Sequence, residues 1–347
     1  MVRYGSVLMG ITTSVNNYRV DCAWHHRIWV MSHFEVDLNY ELELCSQLLH
    51  EDQRNFHCWN YRRYVVYRAS SSPPSSSSKT ITDPSTNELE YSFSKIKENF
   101  SNYSAFQHRS IYIKTKLTAM ITNINADANE VMSSVSGDYS ISNLDHNNTS
   151  GFNSNTTATT IDILKNILEP ELTIVENAVF TEPDDQSAWW YHQFLLTWIS
   201  NNVIGQSKRS SASGHRHGGS DVQRVDNRDH DDVLIWFVGV LKKQLEMMSS
   251  LLDLEDRCRW IMNSMVFMIN LLVSSPYRRV VLSSSLPLSL EVELGDEVDM
   301  LLRRKDELLQ RLIDVDPDHA NRYLYLLTNN GHHSDNHCTR KHMDEGS

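Results

Sequence analysis

The feature that most constrains the fold of this chain is a short aromatic segment that occurs four times. Each copy begins with a polar residue, which is followed three or four positions later by an aromatic residue. The copies are Asp21–Arg27 (DCAWHHR), Asn55–Arg62 (NFHCWNYR), Asn102–Arg109 (NYSAFQHR) and Asp185–His192 (DQSAWWYH). The aligned aromatic residues, called anchors below, are Trp24, Trp59, Phe106 and Trp189. Such recurrence predicts a repeat protein whose units are single supersecondary structures.

The anchors are spaced as helix pairs would be. The first interval is 35 residues, and the next two are 47 and 83 residues. Each longer interval contains a low-complexity insert, which explains the excess length. A period in the thirties with two helices per unit is typical of an α-solenoid, in which each pair buries its apolar face only against its neighbours. The sequence therefore predicts an all-α fold of stacked helix pairs.

The stretch Glu41–Tyr67 shows what one helix pair looks like in the sequence. Leu42, Cys45 and Leu49 recur at helical spacing, and an acidic turn follows them. Asn55 is the expected N-cap of the second helix, because its side chain can accept hydrogen bonds from the free N–H groups there. This stretch is therefore predicted to be one amphipathic helix pair with a tight connection.

The anchors are predicted to pack between helix pairs. Arg27, Arg62 and Arg109 follow their anchors by three residues and so lie on the same helical face. Two interpretations of these arginines stay open. They hydrogen-bond neighbouring turns as structural members of the repeat, or they contact an acidic partner or a ligand. Arg62 is also a candidate substrate-binding residue.

Composition excludes several classes of function. The formal net charge of −12 argues against a general nucleic-acid binder, which needs an excess of Lys and Arg. No apolar run is long enough to predict a membrane span. The five cysteines are scattered and include no CxxC motif, so reduced thiols in a cytoplasmic protein are expected. Metal ligands must be held in a fixed geometry, and the histidines of the polar stretches lie in segments that do not provide one. We therefore predict no metal site in this chain.

Composition also suggests the domain boundaries. Residues 1–18 show no convincing period, residues 19–328 are predicted to form one helical-repeat domain, and residues 329–347 form a polar tail predicted to be disordered. Three low-complexity inserts rich in Ser, Asn, Thr and Asp lie at about 69–86, 123–160 and 205–232. Such segments cannot bury a core and are expected to be linkers or disordered loops.

At the repeated segments the sequence resembles the protein prenyltransferase alpha-subunit repeat. The hallmark of that repeat is Asn-Tyr-x-x-Trp-x-x-Arg after an acidic turn. HEDQRNFHCWNYRR, IKENFSNYSAFQHRS and VFTEPDDQSAWWYHQFLL are most similar to the repeats of the Rab geranylgeranyltransferase type. The resemblance covers Asp21 to Ile199, with a looser fit as far as Tyr325. It implies a right-handed α-α superhelix, a crescent of helix pairs wrapped around a beta subunit.

The resemblance also implies a function. The chain is expected to be the alpha subunit of a heterodimeric Rab geranylgeranyltransferase. That enzyme transfers geranylgeranyl from geranylgeranyl diphosphate to C-terminal cysteines of Rab GTPases, which a Rab escort protein presents. The catalytic zinc is expected in the partner beta subunit, with none bound by this chain. The alpha subunit is expected to be inactive alone.

The family places polar residues of the alpha subunit beside the lipid diphosphate. Negative charge develops on this leaving group as the lipid C–O bond breaks, so positioned cations and hydrogen-bond donors lower the barrier. Asn55, Phe56 and His57 match the family's Asn-Tyr-His. Asn55 and His57 are thus candidate catalytic residues, and Phe56 is a candidate substrate-binding residue without the Tyr hydroxyl. Arg19, the third catalytic candidate, stands where the family has Lys; it keeps the charge with a different geometry.

Two alternatives stay open. One is the alpha subunit shared by farnesyltransferase and geranylgeranyltransferase type I. Phe56 and Cys58 count against it, because that subunit usually has Tyr and Ala at these positions. The other is a non-catalytic helical-repeat scaffold, which suits the acidic composition and a first repeat that departs from the family pattern around Arg19.

Overall fold

The computed structural model describes residues 21–71, 84–135, 150–212, 222–274, 277–278 and 291–329. It describes side chains in the narrower ranges 22–71, 87–119, 161–201, 232–274, 277–278 and 297–329. Every regular element in the described backbone is helical, so the all-α prediction is confirmed.

Eleven α-helices and one short 3₁₀ helix are described over these ranges. The first six are α1 (Asp21–His33), α2 (Leu38–Glu51), α3 (Phe56–Ser71), α4 (Pro84–Glu98), α5 (Tyr103–Val135) and α6 (Ser150–Thr181). The rest are α7 (Gln186–Ala212), α8 (Val222–Leu254), α9 (Arg259–Leu272), α10 (Glu291–Val315), the 3₁₀ helix (Pro317–His319) and α11 (Ala320–Thr328). Helices therefore extend into all three predicted low-complexity inserts. What remains of the inserts, the segment up to residue 20 and the tail from 330 lie outside the described residues.

The chain divides into two compact units. The first unit comprises residues 1–148 and 158–197, and the second comprises residues 149–157 and 198–347. In the first unit α1 packs on α3, α2 on α3, and α4 on α5. In the second unit α9 packs on α8 and on α10, and α10 packs on α11. Helix pairs are thus the packing element of each unit.

Five turns between paired helices share one backbone geometry. In each turn an N–H donates to the carbonyl three residues earlier, just before the second helix begins. These bonds are Asn55 to Asp52 (3.1 Å), Asn102 to Asn99 (3.1 Å), Asp185 to Glu182 (3.2 Å), Cys258 to Glu255 (3.1 Å) and His319 to Asp316 (3.1 Å). The last two belong to the second unit, where the aligned anchor positions are Met262 and Tyr323. The repeat frame therefore continues beyond the four aromatic segments visible in the sequence.

Side chains of the turns fix the helix starts in the first unit. The Oδ1 atom of Asn55 accepts from the N–H of Cys58 at 3.0 Å, so the predicted N-cap is confirmed. Asn102 caps α5 in the same way through the N–H of Ala105 at 3.1 Å. In the second unit the corresponding residue, Cys258, makes no side-chain cap. An N-cap of this kind stabilises a helix by roughly 0.5–2 kcal/mol.

The anchors lie under their own turns. All four are at most 5% exposed. The indole Nε1 of Trp59 donates to the carbonyl of Gln53 at 2.9 Å, and that of Trp189 donates to the carbonyl of Pro183 at 2.7 Å. The anchors are thus core residues, and the two tryptophans also satisfy a turn carbonyl.

Candidate functional site

Each arginine of the repeat forms a buried ion pair with a glutamate on the first helix of the following pair. The three pairs are Arg27–Glu41 (2.6 Å), Arg62–Glu88 (2.7 Å) and Arg109–Glu171 (2.6 Å). We call these three pairs the arginine–glutamate ladder. In the last two pairs both Nε and Nη2 of the arginine donate to the carboxylate, which is the strong bidentate geometry.

A second donor binds each glutamate of the ladder, while Oε1 of Glu41 is buried and has no hydrogen-bond partner among the described residues. This donor comes from the residue two positions after the anchor of the same helix pair. The contacts are Tyr61 to Glu41 (2.8 Å), His108 to Glu88 (2.7 Å) and Tyr191 to Glu171 (2.7 Å). Each carboxylate thus bridges two neighbouring repeats, since its arginine comes from one repeat and its second donor from the next.

The guanidinium of Arg62, a candidate substrate-binding residue, is already bound within the ladder. Besides the two bonds to Glu88, Nη1 donates to the carbonyl of Leu42 and to Oγ of Ser46, both at 3.2 Å. The guanidinium also lies 3.6 Å from the ring centroid of Tyr91. This geometry favours the structural interpretation of Arg62. Arg27 and Arg109 are also buried, but Nε and Nη1 of Arg27 have no hydrogen-bond partner among the described residues. Contact of Arg62 with a substrate stays a prediction.

Burial and hydrogen bonds set the charges around Glu88. Burial opposes ionisation of this carboxyl, but the hydrogen bonds from His108 and Arg62 outweigh it and hold the pKa below its usual value. Burial lowers the pKa of His108 more than Glu88 raises it. His108 is therefore neutral at pH 7, and its Nε2–H donates to the carboxylate.

The start of α3 brings three candidate residues together. Asn55 is buried, and its side-chain oxygen is engaged in the cap. Phe56 is 61% exposed. His57 is half-buried, and its ring centroid lies 3.8 Å from that of Phe56. This pair of rings presents one aromatic and one titratable side chain at the end of a helix.

The starts of α3, α5 and α7 are tied into one edge. Nη2 of Arg54 donates to the carbonyl of Ser101 at 2.7 Å, and Oγ of Ser187 donates to the same carbonyl at 3.2 Å. Nδ2 of Asn99 donates to Oε1 of Gln53 at 3.1 Å. We call this the N-terminal edge. The N-terminus of a helix carries partial positive charge. At this edge the helix ends lie with Arg54 and His57, and also with the carboxylates of Asp52, Glu182 and Asp185.

Large apolar side chains are exposed on the second helices of the pairs in the first unit. We call this set the aromatic face. Its exposed members are Trp29 on α1, Phe56 and Tyr67 on α3, and Tyr103 and Ile111 on α5. On α7 the half-buried Trp190 stacks on Phe194 at 5.9 Å and contacts Tyr103 at 4.9 Å. Tyr103, Trp190 and Phe194 are contiguous, and contiguous apolar groups at a surface mark interaction sites.

Three other sequence predictions concern Arg19, metals and membranes. Arg19 lies outside the described residues. Among the described side chains, no group of three or more His, Cys, Asp or Glu residues could hold a metal ion. Within the described backbone, no helix combines the length and the apolar character needed to cross a membrane.

Comparison with known families identifies the helix pairs. The model of the protein prenyltransferase alpha subunit repeat matches residues 38–69, 85–115 and 168–199. Each match spans one of the pairs α2–α3, α4–α5 and α6–α7. The chain contains three protein prenyltransferase alpha subunit repeats. The family resemblance drawn from the aromatic segments is therefore confirmed.

Several known proteins named geranylgeranyl transferase type-2 subunit alpha are similar to this chain. The Schizosaccharomyces pombe protein is 29% identical over 288 residues, which are 83% of this chain and 61% of that protein. The Saccharomyces cerevisiae protein is 24% identical over 88% of this chain and 67% of that protein. The Rattus norvegicus protein is 34% identical over 174 residues, half of this chain and 22% of that protein. The chain thus spans about a fifth of the rat relative and three fifths of the fission yeast relative.

One solved structure also aligns with most of the chain. It is the Candida albicans protein geranylgeranyltransferase-I complexed with GGPP, and the alignment covers 86% of each chain. The sequence identity is 12% and the TM-score is 0.22.

Proposed function

We propose that this chain is the alpha subunit of a cytoplasmic, heterodimeric geranylgeranyltransferase of the Rab type. The observation that carries the proposal is the set of three prenyltransferase alpha repeats in a chain whose relatives have the type-2 name. In the proposed reaction, geranylgeranyl passes from geranylgeranyl diphosphate to C-terminal cysteines of a Rab GTPase, which a Rab escort protein presents.

The N-terminal edge suits the proposed contribution of this chain to catalysis. His57 and Phe56 lie at the start of α3, where the helix carries partial positive charge, and His57 can donate to a phosphate oxygen. A donor placed there stabilises the diphosphate more strongly in the transition state than in the ground state, because its charge rises as the lipid departs. The zinc that activates the acceptor thiol belongs, in this proposal, to the beta subunit.

The aromatic face suits the proposed heterodimer. Tyr and Trp are enriched at protein interfaces, where their large rings bury area at low conformational cost. Phe56 and Tyr67, 61% and 67% exposed, have no covering element among the described residues. We assign this face to the beta subunit.

Co-expression tests the proposal. The chain is produced with candidate beta subunits, and lipid transfer is measured to a Rab ending in Cys-Cys and to a CaaX peptide. Transfer to the Rab in the presence of escort protein is the expected result. Transfer to the CaaX peptide alone would instead assign the chain to farnesyltransferase or geranylgeranyltransferase type I. A chain that binds none of the beta subunits would be the non-catalytic scaffold.

His57→Ala tests the catalytic assignment. We expect kcat to fall about tenfold or more, because a donor to the leaving group is lost, while the heterodimer remains intact. His319→Ala is the matched control, since His319 is a 55% exposed histidine in the second unit. Single-turnover transfer and gel filtration of the complex provide the two measurements. An unchanged kcat for His57→Ala would remove this residue from the site.

A further inference from the structure

The carbonyl of Ser101 joins the starts of three helices at the N-terminal edge. It lies in the turn before α5. It accepts from the N–H of Tyr103 at 3.0 Å, from Nη2 of Arg54 at 2.7 Å and from Oγ of Ser187 at 3.2 Å. Of these three bonds, the one from Arg54 is the shortest and the only one with a charged donor, which makes it the strongest.

Arg54 is held by the turn before α5 through its backbone as well as its side chain. Its carbonyl accepts from Oγ of Ser104 at 3.5 Å, while its guanidinium donates to Ser101. Arg54 itself belongs to the turn before α3, directly ahead of the cap Asn55. Arg54 therefore fixes the start of one helix against the start of the equivalent helix in the next pair.

The fold of α3 does not depend on this bond. The indole of Trp59 donates to the carbonyl of Gln53, and the side chain of Asn55 caps the helix, so both contacts stay within the pair. Arg62 does cross to the next pair, but it lies eight residues after Arg54, two helical turns into α3. Loss of the Arg54 side chain should thus leave α3 folded and allow its first turn to move relative to α5.

That first turn carries the ring of His57. His57 follows Arg54 by three residues, and its ring centroid lies 3.8 Å from that of Phe56. A movement of the helix start would carry both rings with it. Misplacement of a catalytic group by about 1 Å can lower a rate by about a hundredfold, even when the substituted residue is remote from the chemistry. A residue that fixes this helix start can therefore govern the rate without touching the substrate.

We propose that Arg54 is a positioning residue for the lipid transfer. Its hydrogen bond to the carbonyl of Ser101 holds the start of α3 where the ring of His57 meets the diphosphate. This inference rests on the proposed function, because the transfer reaction gives His57 its role. Arg54 supports the group that contacts the leaving phosphate, and it acts through His57 alone.

Two arginine variants test the positioning. Arg54→Met removes the donor and keeps the length of the side chain. Arg311→Met is the matched control, because Nη2 of Arg311 likewise donates to a turn carbonyl, that of Asp256, in the unit that holds no candidate catalytic residue. The kcat and the KM for geranylgeranyl diphosphate are measured for each heterodimer, with and without His57→Ala, and so is the Tm of each heterodimer.

The expected result is a loss in turnover that requires His57. We expect Arg54→Met to lower kcat about three- to tenfold and to change KM less than about twofold, because the loss falls on the transition state. The control should change kcat less than about twofold. In the His57→Ala background Arg54→Met should lower kcat less than about twofold, because the group that it positions is already absent.

Three outcomes would overturn the positioning role. The first is an unchanged kcat for Arg54→Met. The second is an undiminished loss in the His57→Ala background, since Arg54 would then act independently of His57. The third is a fall in Tm well beyond that of Arg311→Met, which would mark Arg54 as a structural residue. A wild type that transfers no lipid with any beta subunit would instead overturn the proposed function itself.

Discussion

The two units use the same turn but different interiors. In the first unit the repeats anchored by Trp59, Phe106 and Trp189 each place a glutamate 18 residues before the anchor, and an arginine of the previous repeat pairs with it. In the second unit the same position holds Gln244 and Lys305, both buried, and the anchors are Met262 and Tyr323. Lys305 donates to Oδ1 of Asn270 at 3.0 Å. The turn hydrogen bonds nevertheless have the same pattern and nearly the same lengths in both units.

The difference separates what shapes a helix pair from what binds successive pairs together. Backbone hydrogen bonds of the turn are independent of side-chain identity, so they persist where the sequence has changed. The ladder depends on Arg and Glu at fixed positions, and the three matches to the family model coincide with the pairs α2–α3, α4–α5 and α6–α7 that supply its glutamates. The second unit therefore has the backbone geometry of the repeats but lacks the sequence signature that marks them in the first unit.

Glu171→Ala should produce the largest effect on stability. It leaves Arg109 buried without its counter-charge and Tyr191 without its acceptor. Removal of one partner from a buried ion pair costs about 3–5 kcal/mol of unfolding free energy. Urea unfolding followed by circular dichroism measures the loss.

Gln244→Ala in the second unit is the matched control for Glu171→Ala. It occupies the same place in the repeat and removes no charge. We expect it to cost about 1–2 kcal/mol. Equal losses for the two variants would show that the ladder contributes no more than an ordinary buried hydrogen bond, and the contrast between the units would disappear.

His108→Tyr should produce an intermediate effect that depends on pH. The folded protein holds the pKa of His108 below 6.5, so the unfolded chain binds a proton first as the pH falls. The contribution of His108 to the free energy of unfolding is therefore fully present above about pH 6.5, and it decreases as the pH falls below that value. Tyrosine occupies the same position in the neighbouring repeats, as Tyr61 and Tyr191, and does not titrate in this range.

The measurement for His108→Tyr is the Tm of wild type and variant between pH 7.5 and pH 5. We expect the variant to lose less Tm than the wild type over this interval. Below about pH 4.5 both should lose stability, because the lowered pKa of Glu88 contributes stability only while this carboxyl is ionised. Parallel curves down to pH 5 would show that His108 does not govern the acid response.

Cys258→Asn should produce the smallest effect. Cys258 occupies the N-cap of α9 and makes no side-chain cap bond to the helix, whereas Asn55 and Asn102 cap the corresponding helices of the first unit. The new amide should stabilise the second unit by about 0.5–1 kcal/mol. Asn102→Ala should cost about the same or slightly more in the first unit. A loss of Tm for Cys258→Asn would show that the second unit holds its turn in a different environment.

The sequence predicted the helix pairs because anchors and caps recur at recognisable spacings. Asn55 and Trp59 are where the pattern placed them, the first as a cap and the second in the core. The glutamates of the ladder were missed, because an isolated Glu on an amphipathic helix is usually solvent-exposed. Their constant offset of 18 residues from the anchors was the available signal.

The candidate site was less predictable than the fold. Asn55, Phe56 and His57 are adjacent in sequence, so their proximity required no tertiary information. The contact of Arg54 with Ser101 joins turns 47 residues apart, and no local pattern predicts such a bond. The sequence likewise does not distinguish the neighbouring residues Arg62 and Arg63. The structure does, because it shows that Arg62 binds a carboxylate.

Each carboxylate of the ladder accepts from two successive repeats, and this has a consequence for cooperativity. When one repeat unfolds, its neighbour is left with a buried charge that has lost its counter-ion. The free energy of the interface between repeats is then large relative to that of a repeat alone, which is the condition for a linear array to melt as a block. The repeats joined by Arg27–Glu41, Arg62–Glu88 and Arg109–Glu171 should accordingly resist fraying from either end.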